Sequence, residues 1–508
     1  MHKQFSLFTA VLMLAFGSPV HARQGEAPFS VGPMAKRMEA APEVRLPAID
    51  AAALRRDNDA IREKSTAPRS KRLQVAVDTV VDLDTLRYGE WRTRADGSLM
   101  WRLRVHVPGA TDLHLGFETY RLVAGAAVWV IGADDYYEGP YTVDDAGPLW
   151  VPVLPGDTAT IELRLPAGAA IHDVALGLTN VGAGFRHMFG TPARNGSPGS
   201  SGPCNINVVC PLGQPYSAEA RALAYYEFRA DTGGTFICTA TLMNDVPADR
   251  KNYVLTAAHC FATPSEAASM RLYWNYRSTS CAGNTGIQFT QNQTGTTLRA
   301  TRADADFTLV ELNQNPDPAW NLFHAGWDAS NIAPSGSIGL HHPSGDAAKV
   351  NNNPNAPFTT NNCIGTGGGS LNTHWYTGPY DQGTTEGGSS GSGLWIPAAS
   401  AGGNGRRLIG VLSGGTALCA GPVPDNGFDC YGKFSAAWNG PAASSRLRDW
   451  LDPASTGTLS LAGVDKVTIA TGASDPALAA RAAAERLAAP ARPGGRGLPR
   501  HVRPSNLN

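Results

Sequence analysis

Residues 252–260 read NYVLTAAHC, an apolar strand-forming run that stops at His259 and Cys260. A histidine in that place is either a hydrogen-bonded core residue or a base held at the end of a rigid strand. Two other stretches bear on the choice. Residues 304–312, DADFTLVEL, set Asp306 ahead of an alternating strand. Residues 386–395, EGGSSGSGLW, crowd three serines and four glycines into ten positions around Ser390. Singly, Asp306 reads as a strand cap and the serine-glycine run as a loop.

Together they give His259, Asp306 and Ser390 in the chain order of the chymotrypsin-type triad, a double β-barrel arrangement. The chemistry explains the residue types. A serine hydroxyl attacks only when a base takes its proton, the base must be oriented, and the imidazolium that forms needs a buried anion beside it. Gly388 permits a tight turn that aims its own N–H and that of Ser390 at one point, an oxyanion hole in which each donor contributes about 3 to 4 kcal/mol. Gly391 allows close approach of the chain behind the nucleophile.

The whole chain is consistent with such a protein. At 508 residues and 42% hydrophobic content it is long enough for two folded units with tails. Its 42 basic and 43 acidic residues give no electrostatic case for nucleic acid or an anionic membrane as main partner. Residues 1–22, MHKQFSLFTAVLMLAFGSPVHA, have the basic start, apolar run and small-residue ending of a cleavable secretion signal ending at Ala22. No later stretch is long and apolar enough to span a membrane. All eight cysteines (Cys204, Cys210, Cys238, Cys260, Cys281, Cys363, Cys419 and Cys430) lie in the second half, an even set expected to form disulfides outside the cytoplasm, extracellularly or in a periplasm. Neither a CxxC pair nor HExxH is present, so no metal site is expected.

Composition divides the chain further. Residues 23–70 are rich in Ala, Arg and Pro with little periodicity and read as a mobile lead-in. From about 72 to 185, segments such as LQVAVDTVVDL and TATIELRL alternate between Gly, Pro and Asp turns, the pattern of a small β-sandwich without cysteine. A Gly/Ser/Pro linker holding Arg194 follows, then a strand-rich unit to about residue 464 with a helical ending, and an Ala/Arg/Pro-rich tail over 465–508.

The second unit resembles the lysyl endopeptidases, secreted bacterial trypsin-like serine proteases. The resemblance is carried by CNINVVCP at 204, TAAHC, LYWNYRSTSC, DFTLVELN, NLFHAGWD, HHPSG, TEGGSSGS, DCYGK and RLRDWLDPASTG, and the 72–185 segment is similar to that family's propeptides. It implies an all-β, chymotrypsin-like double barrel with a C-terminal helix behind a β-sandwich-like propeptide. It also implies His259 as general base, Asp306 as its orienting carboxylate and Ser390 as nucleophile, acting through an acyl-enzyme without metal or organic cofactor. The implied disulfides are Cys204–Cys419, Cys210–Cys281 and Cys238–Cys260, the last clamping the loop that leads to His259. Asp429 matches the aspartate of the primary specificity pocket, which pairs with a substrate lysine or arginine. Ser413, Gly414 and Gly415 match the substrate-binding strand.

This chain departs from the lysine-selective pattern in having Ser413 where those members carry histidine, and in lacking their pocket tryptophan. Cys363 and Cys430 remain after the family's three pairs, and a fourth disulfide between them would brace the pocket that Asp429 anchors. Such a pocket is expected to take arginine as well as lysine.

Activation follows from the same layout. Residues 23–194 are expected to serve as an inhibitory or folding-assisting propeptide, 195–464 as the protease domain, with self-cleavage after Arg194 and Arg186 as a second candidate. The scarcity of lysine over residues 72–250 argues against a lysine-only route. Ser389 stands where animal trypsins carry an aspartate that receives the new amino terminus, so the site is expected to be built before cleavage. His341 and His342 read as structural or substrate-loop residues. The partners expected are protein or peptide substrates, with the chain itself monomeric. A rival reading is an inactive homologue that binds other proteins, and another gives the β-sandwich a carbohydrate- or surface-binding role.

Overall fold

The computed structural model describes residues 26–32, 38–63, 69–143, 147–186, 201–247, 251–365, 371–400 and 405–465. The signal segment with Ala22, the linker with Arg194 and the tail beyond residue 465 lie outside the described residues.

The alternating segments of the first half form two facing sheets. One orders Glu43–Arg45, Leu99–His106, Thr158–Leu165, Ala127–Ile131 and Tyr137–Tyr141. The other orders Leu154–Pro155, Asp112–Arg121, Ala175–Gly184 and Leu73–Asp84. Period-two alternation sends Leu103, Val105, Val128, Val130, Ile161 and Leu163 from the first and Leu113, Leu115, Phe117, Leu178 and Val181 from the second into one buried core, as expected of a sandwich.

The lead-in is less plain than its composition suggests. Glu43–Arg45 pairs in parallel with Leu99–His106, and a helix runs over Ala51–Glu63. Asp50 starts that helix, its carboxylate accepting from the Ala53 N–H at 2.9 Å, while Arg186 reaches across to Asn58 and to Asp59 at 2.7 Å. Its two large apolar residues, Leu54 and Ile61, stand among six charged ones, which is why periodicity alone hid it.

The second half forms two barrels. In the first, Leu223–Arg229, Thr235–Met243, Tyr253–Thr256, Phe307–Leu312 and Thr296–Arg302 pair in succession, and Arg271–Trp274 returns to Leu223–Arg229. In the second, Lys349–Asn353, Ser337–His341, Gly393–Trp395, Leu408–Gly415, Asp429–Lys433 and His374–Thr377 pair in succession. The architecture is chymotrypsin-like. Its helical ending is the short Arg448–Leu451 turn, cut off by Pro453.

One strand joins the halves. Leu73–Asp84 pairs along its later part with Ala175–Gly184 of the sandwich, and at its start with the first barrel through Leu73 opposite Ile237 and Gln74 opposite Phe236. Leu73, Val75 and Val153 pack there against Tyr225, Ile237, Tyr273 and Tyr276. The residues just before this strand run across the mouth between the two barrels.

Candidate active site

The strand Tyr253–Thr256 delivers His259 to the seam between the barrels, and the Cys238–Cys260 disulfide ties the adjoining turn to the neighbouring strand. Asp306 sits fully buried at the head of Phe307–Leu312 with φ of 49°, a left-handed turn that aspartate tolerates. Its Oδ1 accepts from the His259 N–H at 2.9 Å and its Oδ2 from the His259 Nδ1–H at 2.8 Å. On the far side of the ring, the Ser390 hydroxyl donates to Nε2 at 2.6 Å. Burial by itself would raise the Asp306 pKa, but the His259 imidazole and hydrogen bonds from His259 and Ser413 outweigh it and hold the carboxyl below its ordinary range.

Ser390 is presented by a turn that only glycine fits. Gly391 has φ of 83°, and a Cβ there would lie 2.1 Å from Thr256 Oγ1, so the loop carrying Ser390 presses directly on the first barrel. Gly388, at φ of 95°, points its N–H at the carbonyl oxygen of Lys71, which it contacts.

From that contact Lys71 also reaches into the second barrel. Its side chain enters a buried pocket, where Nζ donates to the carbonyls of Thr385, at 3.2 Å, and of Ala417. Asp429 closes the pocket floor, its Oδ1 3.7 Å from Lys71 Nζ. Thr385 and Tyr380 donate to the other carboxylate oxygen at 2.6 and 2.9 Å, and among the described residues no hydrogen bond reaches Oδ1. The preceding residues lie along the second barrel's edge, Ser70 opposite Gly414 and Arg69 opposite Gly415, antiparallel. Cys363–Cys430 braces the wall beside Asp429, and Cys204–Cys419 and Cys210–Cys281 complete the four disulfides.

The comparisons with known proteins agree with this picture. The family model described as the lysyl endopeptidase N-terminal domain matches residues 45–182, and that for the lysyl endopeptidase C-terminal domain matches residues 198–432. A lysyl endopeptidase of Pseudomonas aeruginosa is 31% identical over 379 residues, covering 71% of this chain and 77% of that relative. The chain belongs to the lysyl endopeptidase family. It is a secreted serine endopeptidase. Among solved structures, a thermostable serine protease, AL20, from an extremophilic microorganism matches 43% of this chain and 94% of its own at 13% identity and a TM-score of 0.30. The secreted serine protease VesC of Vibrio cholerae matches 42% of this chain and 44% of its own at 14% identity and a TM-score of 0.28.

Within this family member the remaining expected residues fall into distinct places. Ser413 turns its hydroxyl to the triad instead of the substrate: it is 3.0 Å from His374 Nε2 and hydrogen-bonds Asp306. Alternation along Leu408–Gly415 dictates this, since Gly414 and Gly415 supply the edge that faces Ser70 and Arg69. Burial pushes the His374 imidazole down to about 4 despite nearby Asp306, so it backs the triad as a neutral ring. Arg186 is buried and bonded to Gln74 O and Asp59, a poor place for a protease to reach.

Ser389 and the two histidines turn out to be one support. Asn351 donates to His341 Nε2 at 3.3 Å, and His341 Nδ1–H donates to Ser389 Oγ at 2.9 Å, which also accepts from the Glu386 N–H at 3.2 Å. Burial, then His342, Lys349 and Lys71, hold His341 well below its ordinary pKa and hence neutral. The His342 carbonyl lies where a Cβ on Gly388 would meet it at 2.8 Å. Sequence reasoning missed Tyr380, His374 and Lys71, whose roles depend on contacts between distant stretches of chain.

Proposed function

We propose that this protein hydrolyses peptide bonds on the carboxyl side of lysine and arginine, with Ser390 as nucleophile, His259 as general base and Asp306 as its orienting carboxylate. The backbone N–H groups of Gly388 and Ser390 take up the oxyanion, and Asp429 receives the basic side chain, as the lysyl endopeptidase relative suggests. The observation that carries this reading is Lys71, whose ammonium lies 3.7 Å from Asp429 while its carbonyl accepts from Gly388. Residues 23–194 act as a propeptide that keeps the protease domain, 195–464, silent by filling its cleft, after removal of a signal over 1–22; the 465–508 tail is trimmed.

A peptide-library cleavage profile of the processed protein, beside Ser390→Ala, tests the reaction and its selectivity. Cleavage after both basic residues is expected, and none by the variant. A lysine preference beyond about a thousandfold, roughly 4 kcal/mol, overturns the arginine part; cleavage after apolar residues overturns the role of Asp429.

A further inference from the structure

We propose that Lys71–Arg72 is a self-cleavage bond, cut in cis by the chain that carries it. The inference rests on the endopeptidase reading of the site and adds a processing site distinct from the linker around residue 194.

The chain crosses the cleft as a substrate would, on both sides of that bond. Upstream, Arg69 and Ser70 extend the second barrel antiparallel to Gly415 and Gly414. At the bond, the Lys71 side chain fills the pocket above Asp429, and its carbonyl oxygen accepts from Gly388 N–H, two residues before Ser390. Downstream, the Arg72 guanidinium reaches the His259 carbonyl at 3.3 Å and lies 4.7 Å over the Phe236 ring. Leu73 then pairs with Ile237 of the first barrel. The segment meets the pocket, the oxyanion donor and the leaving-group side at once, which is the placement a scissile bond requires. Lysine at 71 also removes the difficulty posed by the scarcity of lysine farther along: the basic residue lies one position before that window.

The reaction balances with water as the only co-reactant. Ser390 Oγ bonds to the Lys71 carbonyl carbon as His259 Nε2 takes its proton. The Lys71–Arg72 C–N bond then breaks, His259 returning the proton to the Arg72 nitrogen. Water attacks the ester, giving its proton to His259, and the proton passes back to Ser390 as the acyl bond breaks. The products are a Lys71 carboxylate and an Arg72 amine.

The two pieces stay together after the cut. Glu43–Arg45 remains paired with Leu99–His106, and Leu73–Asp84 remains shared between sandwich and barrel. The purified full-length chain, followed by intact mass and amino-terminal sequencing, should acquire an amino terminus at Arg72 at a rate unchanged by hundredfold dilution. Ser390→Ala should stay whole at this bond, Lys71→Arg should still be cut and Lys71→Gln should not. A fluorophosphonate probe reports whether the Lys71→Gln site is assembled; if that variant does not fold, the dilution series and Lys71→Arg decide. The pieces should coelute in native gel filtration and separate in denaturant. A preparation that hydrolyses lysyl or arginyl peptides while Lys71–Arg72 stays intact overturns the self-cleavage and leaves the endopeptidase reading standing. Absence of both activities overturns both, and a cutting rate that falls with dilution overturns cleavage in cis.

Discussion

At the scale of single residues, the site depends on two backbone angles and a hydroxyl. Gly388 combines φ of 95° with a neighbour 2.8 Å from its absent Cβ, so Gly388→Ala must move the oxyanion N–H. The expected result is a kcat lowered about 10²- to 10³-fold with KM little changed, measured on a lysyl peptide. The triad was legible because each member sits in its own short motif, where local order alone narrows the choices. Lys71 was not legible: what makes it special is a pocket built from Thr385, Ala417 and Asp429, more than three hundred positions away. Ser389 lacks the carboxylate expected at the trypsin position, and its partner His341 lies on a distant strand that only the fold reveals.

At the scale of elements, the docking of sandwich on barrel has a titratable centre. His114, on Asp112–Arg121, contacts Asp112 at 2.9 Å and, across the interface, Glu227 at 3.1 Å; Arg271 also reaches Glu227, at 3.2 Å, and the Tyr225 hydroxyl lies 3.4 Å from it. Burial opposes the charged ring, yet Glu227 and then Asp112 outweigh it and push the His114 pKa up to about 9. Because the folded value exceeds the ordinary one, this contribution is whole below about pH 6.5 and fades as pH rises through about 9, a change of order 1 to 3 kcal/mol. Hydrogen exchange of the Leu223–Arg229 strand in the Ser390→Ala chain, corrected for intrinsic rates, should quicken between about pH 7 and about pH 9.5, and His114→Gln should flatten that dependence. Strand patterning revealed both sheets of the sandwich. It could not reveal that Leu73–Asp84 belongs to two units at once, because a strand's alternation records which face is buried and not which neighbour covers it.

At the scale of the molecule, all eight cysteines are paired within residues 204–430, while the sandwich is held without a disulfide. The Cys363–Cys430 bridge closes a separation of 67 residues beside the pocket, so replacing both with serine should lower the stability of the processed protease by about 2 to 4 kcal/mol in denaturant unfolding. The same variant should raise KM for lysyl peptides more than it lowers kcat, since Asp429 adjoins Cys430 and the triad does not. The double barrel was readable from the order of three motifs, whereas the Ala51–Glu63 helix was not, since its two large apolar residues, Leu54 and Ile61, stand among six charged ones.

Delivery of Lys71 by its own chain makes occupancy of the cleft a question of concentration. A tethered segment competes at an effective concentration on the order of millimolar, which few external peptides match. Once the chain is severed after Lys71, as we propose, the upstream piece is a separate molecule, held by the Glu43–Arg45 strand, by Val44, Leu46 and Ile49 packed on the sandwich core, and by polar contacts such as that of Asp59 with Arg186. Its local advantage then vanishes as the protein spreads into a larger volume. Under that proposal, dilution far below the concentrations at which the pieces coelute becomes the signal that opens the acyl side of the cleft, with no second protein required to give it.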